Sequence, residues 1–174
     1  LAANNFAISG FVDQQGLAAS VSGVTTGTFN NANVAQANTI TAELGQNSIA
    51  LPQTAKAGNY TLPTTASGAA TITPKALNIT TNEFVSSATA NAVIATTDGL
   101  VAGQTVSALN LDGKNLSVAF GQDTLSSNYA TTVVVPGAAG ADLSVNRDLT
   151  LGSGLNLTLR SDKNILVNKV IDAT

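Results

Sequence analysis

The sequence predicts a mainly β protein: one or two small β-sandwich or β-grasp-like modules, then a strand-rich tail, with at most one short helix near 81–97. Three observations carry this. Apolar residues recur mostly at every second position, the period of a half-buried strand. An Asp112-Gly113 step sits between two such runs, where a tight hairpin turn needs positive φ. In the last thirty residues, Leu143, Val145, Leu149, Leu151, Leu155, Leu157, Leu159, Ile165, Val167 and Ile171 all stand at odd positions, so an extended chain puts them on one side. Leu, Ile, Val and Phe make up roughly a quarter of the 174 residues, above the level of about a fifth below which chains tend to stay disordered.

Strands are expected first around Phe6 to Phe11, then where Ile40, Ala42 and Leu44 alternate with Thr39, Thr41 and Glu43. Gly58 to Leu62 and Ala70 to Ile79 follow. From Thr81 to Thr97 the spacing of Phe84, Val85, Ala88, Ala92 and Ala95 suits a helix, with Thr81 or Asn82 as N-cap and Gly99 past its end. Thr, Asn and Val dilute helix propensity there, so a loose strand and loop is the equal alternative. Leu109 to Leu111 and Leu116 to Val118 form the hairpin, with Leu116, Val118 and Phe120 alternating against Asn115, Ser117 and Ala119. Thr131 to Val135 is a strand closed by Pro136-Gly137.

The tail carries a repeat of eight: Asp148-Leu149-Thr150-Leu151, Asn156-Leu157-Thr158-Leu159 and Asn164-Ile165-Leu166-Val167. Such units cannot bury an apolar face singly and gain by stacking, as in a solenoid. Three copies are too few to stand alone, so the tail should pack on what precedes it or continue into further residues. An antiparallel meander has the same periodicity.

Absent residue types remove much chemistry. There is no His and no Cys, which excludes a Ser-His-Asp triad, a thiol nucleophile and imidazole or thiolate metal ligation. The net charge is -3 and only 10% of residues are charged, so surface polarity comes from Thr, Ser, Asn and Gln. The cations Lys56, Lys75, Lys114, Arg147, Arg160, Lys163 and Lys169 are scattered and give no footprint for a phosphate backbone. No run of about 18 apolar residues marks a membrane span. The start lacks both an initiator Met and a signal peptide's basic and apolar regions, so the chain reads as a piece of a longer polypeptide.

The ten carboxylates are dispersed; a glycosidase would need two of them to converge in space, and most sit where an Asp shapes a turn. Gly152-Ser153-Gly154 lacks the Gly-Lys-Ser/Thr of a phosphate loop. No catalytic, cofactor-binding or metal-ligating residue is nominated, no cofactor is implied, and no enzyme activity is expected. Four Asn-x-Ser/Thr sequons mark candidate glycosylation sites at Asn59, Asn78, Asn115 and Asn156, although an Asn- and Thr-rich chain generates such triplets by chance. Of seven aromatics, five are Phe, expected as core plugs. Asn59-Tyr60 and Asn128-Tyr129 suggest two related modules.

Gly58-Asn59-Tyr60-Thr61-Leu62 followed by Gly68-Ala69-Ala70-Thr71-Ile72-Thr73-Pro74-Lys75-Ala76-Leu77 resembles the close of the Gly-rich, mostly β YDG or MBG repeats. These occur in two-partner-secreted bacterial exoproteins of the filamentous-haemagglutinin type. Gly27-Thr28-Phe29 with Asn33-Val34 fits the middle of such a repeat. Gly99 to Ser107 with Ser127-Asn128-Tyr129 resembles a second, degenerate copy, and Asp148 to Thr174 resembles the β-helical coils of the same exoproteins. The Lys-x-Tyr-Asp-Gly opening expected after Leu77 is missing. The resemblance divides the chain into a module at 1–77, a degenerate module at 78–137 and a β-helix-like tail at 138–174, and carries no catalytic residues.

The functional expectation is a non-catalytic spacer or host-binding segment of an adhesin, secreted to or held at a bacterial cell surface. Its partners would be a host glycan or surface protein and neighbouring repeats, with no nucleic acid and no membrane insertion. The alternative is a subunit of a self-assembling extracellular filament, in which a terminal strand completes a neighbour's sheet.

Overall fold

The computed structural model describes residues 1–11, 19–53, 55, 57–122 and 126–173. It is mainly β, with helix limited to single 3-10 turns. Among the described residues fifteen strands follow in order: β1 (Ser20–Val21), β2 (Thr28–Phe29), β3 (Thr39–Glu43), β4 (Ile49–Ala50), β5 (Thr65–Ala69), β6 (Lys75–Thr81), β7 (Ile94–Asp98), β8 (Val106–Asp112), β9 (Asn115–Phe120), β10 (Tyr129–Pro136), β11 (Leu143–Val145), β12 (Leu149–Leu151), β13 (Leu155–Arg160), β14 (Ile165–Val167) and β15 (Ile171–Ala173). They fall into two compact units, Leu1–Ile72 and Thr73–Thr174.

In the first unit, β3 lies between β2 and β5 in an antiparallel sheet, and β1 pairs with β4. The expected strand at Thr39 to Leu44 is present, with Ala42 and Leu44 buried. An Asn-rich turn feeds it: Asn30 accepts the Asn38 and Thr39 amides on Oδ1 and donates from Nδ2 to the Gln36 carbonyl. Two expected strands are not formed. Phe6 to Phe11 finds no partner strand among the described residues, and Gly10 takes φ 89. Gly58 to Leu62 begins in a 3-10 turn, Ala57–Asn59, and regular pairing starts only at Thr65.

The second unit is a stack of turns. β10 runs parallel to both neighbours, β6 and β13. β11 runs parallel to β14, and β12 lies parallel between β9 and β15. Thr131 pairs with Leu155, Leu143 with Ile165 and Leu149 with Ile171. From β10 onward the chain therefore visits three sheets in succession and returns one strand further along each, after 24 residues in the first sheet and 22 in the others. A parallel connection needs a dozen or more residues to cross over, and here the other two strands of the turn supply the crossover. Among the described residues, the strands form separate sheets that close into neither a barrel nor a solenoid.

This register explains the repeat of eight. Its three copies fall on β12, β13 and β14, which belong to three different sheets, so eight residues is the step from β12 to β13 and from β13 to β14, while the step from β14 to β15 is six, and three such sides make a turn of 22 residues. The repeats are successive sides and do not lie directly on one another. The odd-numbered apolar residues point inward from each side: Leu143, Val145, Leu149 and Leu151 are buried, beside Leu77, Ile79, Leu116, Val133 and Val135. The tail pairs in parallel, not as an antiparallel meander.

Of the two readings for Thr81 to Thr97, strand and loop is the observed one. A 3-10 turn at Phe84–Ser86 buries Phe84 and Val85, and β7 then turns back antiparallel to β6. Gly99 ends β7 with φ 103, and a Cβ there would collide with the Ala76 carbonyl. The hairpin forms as expected, but Asp112 pairs with Asn115, so the turn residues are Gly113, with φ 59, and Lys114. Phe84 is the one fully buried Phe; Phe6, Phe11, Phe29 and Phe120 are half-buried. Among the described residues no helix is long and apolar enough to cross a membrane.

Leu143 is buried in the stack, whereas Leu166 on the next turn points outward and is 45% exposed. Truncating Leu143 to Ala should cost about 2–5 kcal/mol in chemical denaturation, against less than about 0.5 kcal/mol for Leu166→Ala. Equal costs would contradict the inward assignment.

Candidate functional site

The outer surface of the stack is built from the residues between the inward rows. Asn78 on β6, Thr132 on β10 and Asn156 on β13 share one cross-strand row, with Thr80, Val134 and Thr158 in the next. On the third side, Asn115, Thr150 and Asp172 form a corresponding row across β9, β12 and β15. Period-two alternation sets these positions: every residue that sends a neighbour inward must itself face out. The result is a ruled surface, mostly of short Asn and Thr side chains, with strands roughly 4.8 Å apart; Val134 and the carboxylate of Asp172 interrupt it, and Thr150 Oγ1 is buried without a hydrogen-bond partner.

All four sequon asparagines are exposed. Asn59 ends a 3-10 turn, while Asn78, Asn115 and Asn156 stand on strands and point away from the interior. The structure thus places Asn78 and Asn156 in one row with Thr132 between them, and Asn115 on another side.

The corners between sides carry a second polar pattern, one the sequence reading missed. Asn168 Nδ2 donates to Asn146 Oδ1 at 2.8 Å, and Asn146 Nδ2 donates to the Ser86 carbonyl at 3.0 Å. Asn164 donates its amide and its Nδ2 to Asp142 Oδ1, and the Val170 amide donates to Asp148 Oδ1. Asp162 reaches the other way, accepting the Gly140 amide. Each of the inter-turn bonds joining Asn168 to Asn146, Asn164 to Asp142 and Val170 to Asp148 spans 22 residues. A search for 22-residue spacing among Asn and Asp would have found the pairs Asp142–Asn164 and Asn146–Asn168, though not Asp148 with the Val170 amide. The carboxylates that sequence reading assigned to turns serve here as acceptors for backbone and Asn donors.

Arg147 is the second group missed. Its guanidinium donates to the carbonyls of Phe84, Ala88 and Ala90 and lies 6.0 Å from the centroid of the Phe84 ring. With Asn146, whose amide donates to the Val85 carbonyl at 2.9 Å, it pins the 84–90 segment onto the start of the stack. Tyr129 performs a similar service: its hydroxyl accepts the Val101 amide and donates to Gln104 Oε1, and its ring stacks on Phe120 at 5.5 Å.

Hollows are small. One of about 220 Å³ is lined by Lys114, Asp148, Thr150 and Asp172, and it brings two carboxylates to one groove beside a cation. Another, of about 330 Å³ in the first unit, is lined by Phe6, Phe11, Val21, Leu44 and Tyr60 among others. Among the described residues no three carboxylates group closely enough to hold a metal ion. Gly152 and Gly154 form the turn from β12 to β13, where Gly152 donates its amide to the Leu116 carbonyl and Gly154 takes φ 76. Arg160, Lys163 and Lys169 are exposed near the last turn.

Compared with protein-family models, with curated proteins and with solved structures, the chain matches none.

Because the partners of Arg147 are carbonyl groups, replacing it with Met should cost about 1–3 kcal/mol, and that cost should change little with added salt. A loss that shrinks steeply as salt rises would assign Arg147 to an ion pair instead.

Proposed function

We propose that the protein is a non-catalytic structural and adhesive segment of a secreted bacterial cell-surface adhesin, of the kind its YDG/MBG-like stretch resembles. The observation that carries this reading is the parallel stack with its ruled outer rows of Asn and Thr. In such a stack each turn satisfies the backbone of the one before it, so length is gained by repetition without a larger core. With charged residues held to 10% and polar corners closed by hydrogen bonds from amides, the scaffold depends little on ion pairs, which suits a surface exposed to changing salt. The rows Asn78–Thr132–Asn156 and Thr80–Val134–Thr158 offer donors and acceptors suited to glycan hydroxyls or to a surface protein's polar loops.

A second reading is favoured by one specific observation. β13, β14 and β15 are all outer strands of their sheets, and unpaired edges invite strand addition. On that reading the chain is a subunit of an extracellular filament.

Light scattering of the intact chain at micromolar concentration separates the two: the adhesin segment is expected to give the mass of one chain. Polymers seen in negative stain would overturn it in favour of the filament. Deleting 143–174 is no test of the filament, since it removes the buried Leu143, Val145, Leu149 and Leu151. Leu166→Lys with Val170→Lys keeps the fold and charges the edge, and should disperse any polymer.

A further inference from the structure

The two ends of the stack are built differently. At the first turn β7 lies outside β6 and β8 outside β9, both antiparallel, each with a register irregularity. Leu109, Leu100 and Ala92 pack there on the core, and Arg147 holds the intervening segment across the third side. Irregular, reversed edge strands of this kind blunt further pairing.

The last turn has no such cover. Ile165 is 43% and Val167 56% exposed, while Leu143 and Val145, which pair with them one turn earlier, are fully buried. Leu155, Leu157, Leu159 and Ile171 are half-buried in the same way. This end therefore presents three parallel edges around a layer of inward-pointing apolar side chains. The corners add direction: Asp142, Asn146 and Asp148 each accept a bond from the turn that follows, 22 residues on. Asn164 and Asn168 occupy the corresponding positions in the last turn and carry the same kind of acceptor.

We propose that this open end is a template for a further turn of the same chemistry, continuing in cis from β15. The occupant is a stretch of 22 residues in parallel register, apolar at alternate positions of three short strands, with Asn or Asp at the corners. A second copy of the chain fits poorly. Its capped end offers β7 and β8 in the reverse direction, and two open ends meeting face to face would pair antiparallel and lose the 22-residue register of the corners. The inference does not depend on what the outer rows bind.

The test is to append a duplicate of residues 153–174 to the intact chain, with a scrambled sequence of the same composition as control. The duplicate should slow amide exchange in β13, β14 and β15 by about tenfold or more, raise Tm, and leave the mass that of one chain; the scramble should do none of these. An appended turn that exchanges as freely as the scramble at unchanged Tm would overturn the proposal. So would a parent chain that is already dimeric or polymeric with the edges of β13, β14 and β15 protected.

Discussion

β10 is the strand on which the second unit depends. It has parallel neighbours on both sides, and its pairing fixes where Leu77, Val133 and Leu157 can lie. Thr131 pairs with Leu77 and Leu155, and Val133 with Ile79 and Leu157, so the inward residues of each strand repeat from turn to turn in matched rows. A slip of one residue would send that whole set to solvent. The inward rows therefore lock the register. The register in turn sets the 22-residue spacing at which corner Asn and Asp side chains meet.

The polar chemistry follows from the same constraint. Each turn must satisfy its corner amides where strands end, and a chain poor in charge does this with Asn and Asp acceptors rather than ion pairs. Arg147 shows the same economy, its guanidinium spent on the carbonyls of Phe84, Ala88 and Ala90. What remains for the outside is repetition: Asn78, Thr132 and Asn156 in one row, and Asn115 and Asp172 on either side of Thr150 in another. A surface of this kind is suited to many weak polar contacts along its length, which is how the proposed adhesive role would use it.

Much of the fold was legible because alternation reports which side of a strand is buried, and the odd-numbered leucines of the tail are inward wherever they fall. Alternation does not report which strand lies beside which. Copies eight residues apart looked like stacking partners, whereas in the last turn the true partners lie 22 or 24 apart, because two other sides intervene. The second kind of error came from strands without partners: Phe6 to Phe11 has a suitable pattern but no strand beside it among the described residues. At Thr81 to Thr97 the apolar spacing of a helix was met by a single 3-10 turn, since Phe84 and Val85 gain more by packing on the stack than a short helix would gain from its own bonds. Of the outer site, the exposed sequon asparagines could be listed from sequence, but their alignment into rows required the register.

The claim beneath all of this is parallel pairing at a spacing of one turn, and proton–proton contacts measured by NMR on the isotope-labelled chain test it directly. Parallel register predicts cross-strand contacts between the backbones of Leu143 and Ile165, Val133 and Leu157, and Leu149 and Ile171. Short contacts between opposed α-protons of an antiparallel hairpin, joining β13 to β14 or β11 to β12, would contradict it.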